Sequence, residues 1–196
     1  MGFAISWCAV PEAAAGGFLQ RIGLTETGET EEVPDSLISV ARLDTGWRLL
    51  WYSNYDCPFL NEAQRAEHSR HHDLLYCLIE EHCMASSSEL WTGGSRAWWI
   101  SHEGIDGPKG VDFSGAVPRN FQQIKSEMEA KQKQEGGEAA EVDYLFDIPL
   151  LVAKSLTGFK HDEVCTHVIG NEFRIMKQES QQGGLFSRLF GMPSIG

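Results

Sequence analysis

Glu80 and His82 stand two residues apart, and His102 is followed directly by Glu103. Carboxylate and imidazole are the pair that general acid–base catalysis uses, because between them they take up and release protons near neutral pH. Residues two apart in a strand share a face, so Glu80 and His82 would project together. A hairpin that sets Ala85 opposite His102 would bring Glu80, His82, His102 and Glu103 into one neighbourhood. These four are the candidate catalytic residues, and a small hydrolase using Glu80, His82 and His102, as an acid–base or a metal site, is the activity they would serve. No activated nucleophile or oxyanion-stabilising loop accompanies them. Charged residues at the end of a strand also mark the place where a sheet meets water.

His68 and His72 are four apart in a segment with helical character, a spacing that puts two imidazoles on one helix face as a metal pair requires. Ser69 stands where the metalloprotease motif needs glutamate, and no set of three or four ligands has suitable spacing. A polar surface helix carrying histidines explains the pair equally well, so the expectation is no bound metal and no cofactor. The five cysteines, Cys8, Cys57, Cys77, Cys83 and Cys165, include no CxxC pair and suit reduced thiols. Cys77 reads as a small core residue, and Cys57 becomes reactive only if a nearby cation lowers its pKa.

The elements that must position these groups are announced by tryptophan. Trp47 to Tyr52 and Trp91 to Trp99 hold five of the six tryptophans, and each segment reads as half of a β-hairpin. In the first, Asp44-Thr45-Gly46 fits a three-residue turn that sets Leu43 opposite Trp47, Ala41 opposite Leu49 and Ser39 opposite Trp51. In the second, a Gly93-Gly94 turn sets Trp91 opposite Arg96, Glu89 opposite Trp98 and Ala85 opposite His102. Phe3 to Val10 is apolar on both faces, as an interior strand should be, and Leu74 to Cys83 and Val111 to Ala116 are further strands. Helices are predicted after Pro11, after an Asn61/Gln64 capping box, after Pro118, and from Asp147 to about Leu156. Thr25 to Pro34 reads as an acidic, mobile connection. The fold class is α+β: a mostly antiparallel sheet built from hairpins, with helices packed largely on one face.

One domain is expected over residues 1–177. Beyond it, over 178–196, the Gly183-Gly184 joint leads to a short amphipathic tail, Leu185 to Phe190, which would dock to a partner or to the domain itself. Four apolar residues and one arginine are too few for stable membrane anchoring.

A formal net charge of −12 disfavours DNA and RNA, whose phosphates require clustered Lys and Arg. It favours a basic protein as partner. Glu29, Glu31, Glu32 and Asp35 form a local acidic stretch, and Trp91 with Arg96 could anchor an interface from the second hairpin. Neither a secretory signal nor an apolar run near 18 residues is present, which points to a cytoplasmic protein.

Phe3-Ala4-Ile5-Ser6-Trp7, the Trp91 to His102 hairpin, and Asp143 to Pro149 through Leu156 to Asp162 resemble a group of small bacterial proteins. The resemblance spans most of residues 1–165 and implies a bacterial, cytoplasmic protein, with no catalytic residue, cofactor or activity to carry over. Acidity, size and the missing nucleophile together make a non-catalytic binding protein, immunity-like or regulatory and masking a basic surface, the preferred expectation.

Overall fold

A computed structural model of the chain describes residues 2–104 and 110–179. In chain order the elements are β1 (Ala4–Pro11), α1 (Glu12–Arg21), β2 (Leu24–Glu31), β3 (Ile38–Arg42), β4 (Trp47–Tyr52), α2 (Glu62–His68), β5 (Leu74–Glu80), β6 (Ala85–Thr92), β7 (Ser95–Glu103), β8 (Asp112–Gly115), α3 (Phe121–Gln134), α4 (Asp147–Thr157) and β9 (Phe173–Gln178). The nine strands form one sheet in the order β2-β9-β3-β4-β1-β5-β6-β7-β8, and every pairing is antiparallel. The fold is α+β, as the hairpin pattern predicts.

β1 lies inside the sheet between β4 and β5, and its six central residues are buried because both faces are covered. On one face Trp7, Trp51, Cys77 and Ile100 pack beneath α4 and the start of α3. On the other, Val10, Leu50, Tyr76 and Trp91 pack against α1, with α2 at the margin. The two longest helices thus share a face, while the shorter α1 and α2 cover the reverse side. Pro11 opens α1, and the Asn61/Gln64 capping box closes at both hydrogen bonds.

The first hairpin has the expected register: Ala41 pairs with Leu49 and Ser39 with Trp51, around a turn in which Gly46 takes φ 90°. The second departs from expectation in the middle. Trp91 does pair with Arg96 across Gly93-Gly94, but Leu90 pairs with Trp98, so Ala97 is an extra residue in β7. Beyond this bulge Glu89 lies opposite Trp99, Ser86 opposite His102 and Ala85 opposite Glu103. A shift of one residue turns every later side chain to the opposite face of the sheet.

Two further corrections concern the sheet's far end. The acidic stretch from Thr25 is no loose connection: Leu24–Glu31 is the edge strand β2, paired to β9. Thr25, Thr27 and Thr30 suit a strand, and one exposed side tolerates glutamates facing water. β9 itself, Phe173–Gln178, was not anticipated; it supplies the link between β2 and β3. The Gly183-Gly184 joint and the Leu185 to Phe190 tail lie outside the described residues.

Candidate functional site

The bulge in β7 decides the fate of the acid–base cluster. Glu80 pairs with Ala85, and Ala85 with Glu103, so Glu80 and Glu103 share a face of the sheet. His102 pairs with Ser86, which pairs with Ile79, and these point to the opposite face, toward α4. Glu80 therefore cannot work with His102. Its Oε1 instead accepts from Nδ1 of His82 at 2.7 Å and from the His82 backbone N–H at 3.2 Å, tying an exposed turn after β5. Tyr55 feels the same carboxylates: its phenol pKa is raised, chiefly by burial and further by Cys83, Glu80 and Glu103.

His102 is a buried structural pin. Its Nδ1 lies 2.7 Å from the Gly110 carbonyl oxygen and its Nε2 lies 2.8 Å from Oδ2 of Asp143. Asp143 also accepts from the Leu145 backbone N–H, capping the turn that leads into α4. Both ring nitrogens face oxygen atoms, so the imidazole is held at two points, by the Gly110 carbonyl and by the Asp143 carboxylate. Gly104 permits this approach: a Cβ there would stand 2.8 Å from Oδ2 of Asp143 and 2.8 Å from Cβ of Met84.

His68 and His72 are engaged elsewhere. Their rings pack edge-on against Phe18 of α1, with centroids at 5.4 and 5.8 Å. Nε2 of His72 accepts from the Arg21 guanidinium at 3.0 Å, and its Nδ1 meets the Asp73 carbonyl at 3.0 Å. A cation donating to one nitrogen and a carbonyl at the other leave that ring no lone pair for a metal. Among the described residues, no group of three His, Cys, Asp or Glu side chains is placed to hold a metal ion.

The pKa of His68 is lowered by burial, then by Arg21 and His72. The unfolded chain therefore binds a proton there before the folded chain does. Stability is fully present above about pH 6.5, the ordinary histidine value, and falls as the pH drops below it. His68→Leu, which keeps an apolar side chain against Phe18, should flatten the melting temperature between pH 7.5 and 5.5. Equal losses in the parent and the variant would refute this.

The thiols offer little chemistry. Burial raises the pKa of Cys57 to about 12, outweighing the nearby Arg65, and raises those of Cys8 and Cys77. No disulfide joins any of the five.

The six residues expected to bind a partner do not form one surface. Trp91, expected to be exposed, is buried: Arg65 from α2 and Arg96 lie over its ring at 5.8 and 5.7 Å. Arg96 is also held by Glu89 at 3.3 Å, and Arg65 makes a close 2.6 Å ion pair with the same carboxylate. Glu31 turns inward and accepts from the Ser36 backbone N–H, the Ser36 hydroxyl and the Ser39 hydroxyl, fixing the chain before β3. Glu29, Glu32 and Asp35 are exposed. β2 and β6 are six strand spacings apart, about 29 Å, so no compact interface spans Glu29 and Trp91.

What the sequence did not reveal is a cleft of about 760 Å³ beside this acidic stretch. Its sides come from Phe3, the turn Glu32-Val33-Pro34, the segment from Phe159 to Val168 after α4, and the entry to β9 at Asn171 and Phe173. Phe159, Val168 and Phe173 belong to the buried core and form an apolar floor. Phe3, Val33 and Val164 stand in the rim 41%, 72% and 94% exposed. Glu32, Asp162 and Glu163 line the cleft, with no lysine or arginine among the lining residues. Lys160 holds both oxygens of Asp162 at 2.6 and 2.7 Å, and Lys154 holds Glu163. Glu32 makes no ion pair among the described residues. At the cleft's inner wall the His161 side chain is 1% exposed, its Nε2 3.2 Å from Oε1 of Glu81 and its ring edge-on to Phe3. The cleft joins three segments distant in sequence, so no local spacing could announce it.

No helix among the described residues is long and apolar enough to cross a membrane. No family model, curated protein or solved structure matches the chain.

Proposed function

We propose that the protein is a non-catalytic binding protein that recognises a basic, partly apolar segment of another protein, in a bacterial cytoplasm. The observation carrying this reading is the cleft: an apolar floor, large aliphatic and aromatic side chains exposed at its rim, and, among the described residues that line it, carboxylates but no lysine or arginine. Isolated exposed apolar residues are ordinary, but three of them converging on one concavity mark a recognition surface. A ligand that buries Phe3, Val33 and Val164 gains hydrophobic free energy, while its arginine or lysine meets Glu32. The net charge of −12 adds long-range attraction for such a partner. The cytoplasmic setting agrees with five unpaired thiols.

The test is an immobilised panel of short peptides combining Arg or Lys with Leu, Phe or Met, beside acidic–apolar and basic–polar controls. Only peptides carrying both features should be retained. Reversing Glu29, Glu32 and Asp35 to lysine should slow association by about tenfold at low salt and remove most of its salt dependence. Val33→Asp should act mainly on dissociation, because it removes buried contact area. Retention indifferent to salt, charge reversal and Val33→Asp alike would sink the reading.

A further inference from the structure

The chain itself contains a segment with the chemistry this cleft selects. Leu185-Phe186-Ser187-Arg188-Leu189-Phe190 combines four large apolar residues with one arginine and no acid. We propose that this segment occupies the cleft of its own chain, so that a basic partner must displace it. The proposal rests on the cleft being a site for basic, apolar segments, and it names the first occupant of that site.

Three observations support it. The described chain ends beside α1, where the Glu179 backbone N–H donates to the Gly23 carbonyl at 2.9 Å. From there to Phe173 in the cleft is the length of β9, about 20 Å at 3.3 Å per residue. The eleven residues from Ser180 to Phe190 extend to about 36 Å, so Leu189 and Phe190 reach the cleft with chain to spare. Charge also matches: Arg188 is the only lysine or arginine after Lys177, and Glu32 is the cleft carboxylate without an ion pair among the described residues. Finally, Phe3, Val33 and Val164 present apolar surface at the rim that a Leu- and Phe-bearing strand would cover. A tether of this length supplies an effective concentration on the order of millimolar, so an intrinsic Kd well below that value keeps the cleft filled.

The probe is a synthetic peptide with the sequence of residues 183–196, tested on the full chain and on a chain ending at Glu179. The shortened chain keeps every described strand and the Glu179–Gly23 closure, and its melting temperature is checked against that of the full chain. The peptide should bind the shortened chain at least tenfold more tightly than the full chain, and Val33→Asp or a peptide with Arg188→Glu should abolish the difference. In the full chain, Arg188→Glu should open the cleft and restore peptide binding without any truncation, which guards against a shortened chain that folds poorly. Equal binding to both chains would overturn the proposal, as would a tail-dependent dimer at micromolar concentration, which would place the segment in a second copy. A tail peptide that binds neither chain also overturns it. In that case retention of other basic–apolar peptides by the shortened chain leaves the cleft reading standing, and their failure removes both.

Discussion

Glu89→Ala is expected to cost roughly 3–5 kcal/mol of stability, the scale of removing one partner from a buried ion pair. Glu89 is 10% exposed at its side chain and Arg65 14%, so neither guanidinium nor carboxylate is well hydrated. Arg65 comes from α2, lies 4.5 Å from the Tyr76 ring centroid and also donates to the Leu60 carbonyl. Removing the carboxylate leaves that cation facing two aromatic rings and no anion. No residue of α2 is fully buried, so this pair is a principal tie between α2 and the sheet, beside the packing of Ala66 and His68. For a chain of this size the loss corresponds to a drop in melting temperature on the order of 10 °C. Arg96→Met should cost much less, because Arg96 is 39% exposed and its loss leaves the Arg65–Glu89 pair intact. Replacing Arg65 by Met and Glu89 by Leu together should recover most of the stability, since a well-packed apolar pair often matches a buried ion pair. A Glu89→Ala protein within about 1 kcal/mol of the parent would show that water already screens the pair.

How much of this was legible in the sequence depends on the distance over which each feature is specified. The first hairpin could be read residue by residue because its register follows from the turn, and Gly46 fixes the turn. The same logic applied to the second hairpin held only for Trp91 and Arg96. Nothing in Ser95-Arg96-Ala97-Trp98 signals a bulge; it lets both Trp91 and Trp98 reach buried positions on opposite faces of the sheet. That single unread residue created the apparent Glu80–His102 cluster. β2 was missed because an edge strand facing water lacks the apolar alternation that identifies a strand, although Thr25, Thr27 and Thr30 carried some of the signal. Trp91 was expected to be exposed because turns usually are. Arg65, far away in sequence, covers it. The cleft was beyond reading, since its parts meet only once β9 has joined β2 to β3.

His102→Phe is expected to cost about 3 kcal/mol, because it leaves the half-buried Asp143 carboxylate and Gly110 carbonyl without the buried imidazole that joins them. The His102 side chain is fully buried and Asp143 is 12% exposed, so water cannot take the imidazole's place without the turn opening. Asp143→Asn should be milder, on the order of 1–2 kcal/mol. The amide oxygen can still accept from Nε2, but the pair loses the carboxylate's charge. Combining His102→Phe with Asp143→Leu should cost less than the sum of the two single changes, because the second removes the carboxylate that the first leaves unpaired. These variants separate a structural histidine from a catalytic or ligand-binding one. The pin connects β7 to the turn before α4, whereas the cleft is built from Phe3, the turn before β3 and the chain after α4. Folded His102→Phe protein should therefore retain basic–apolar peptides with the parent's affinity while melting at a lower temperature. Lost peptide retention at full stability would reverse the assignment, and would return His102 to the functional site from which the bulge in β7 removes it.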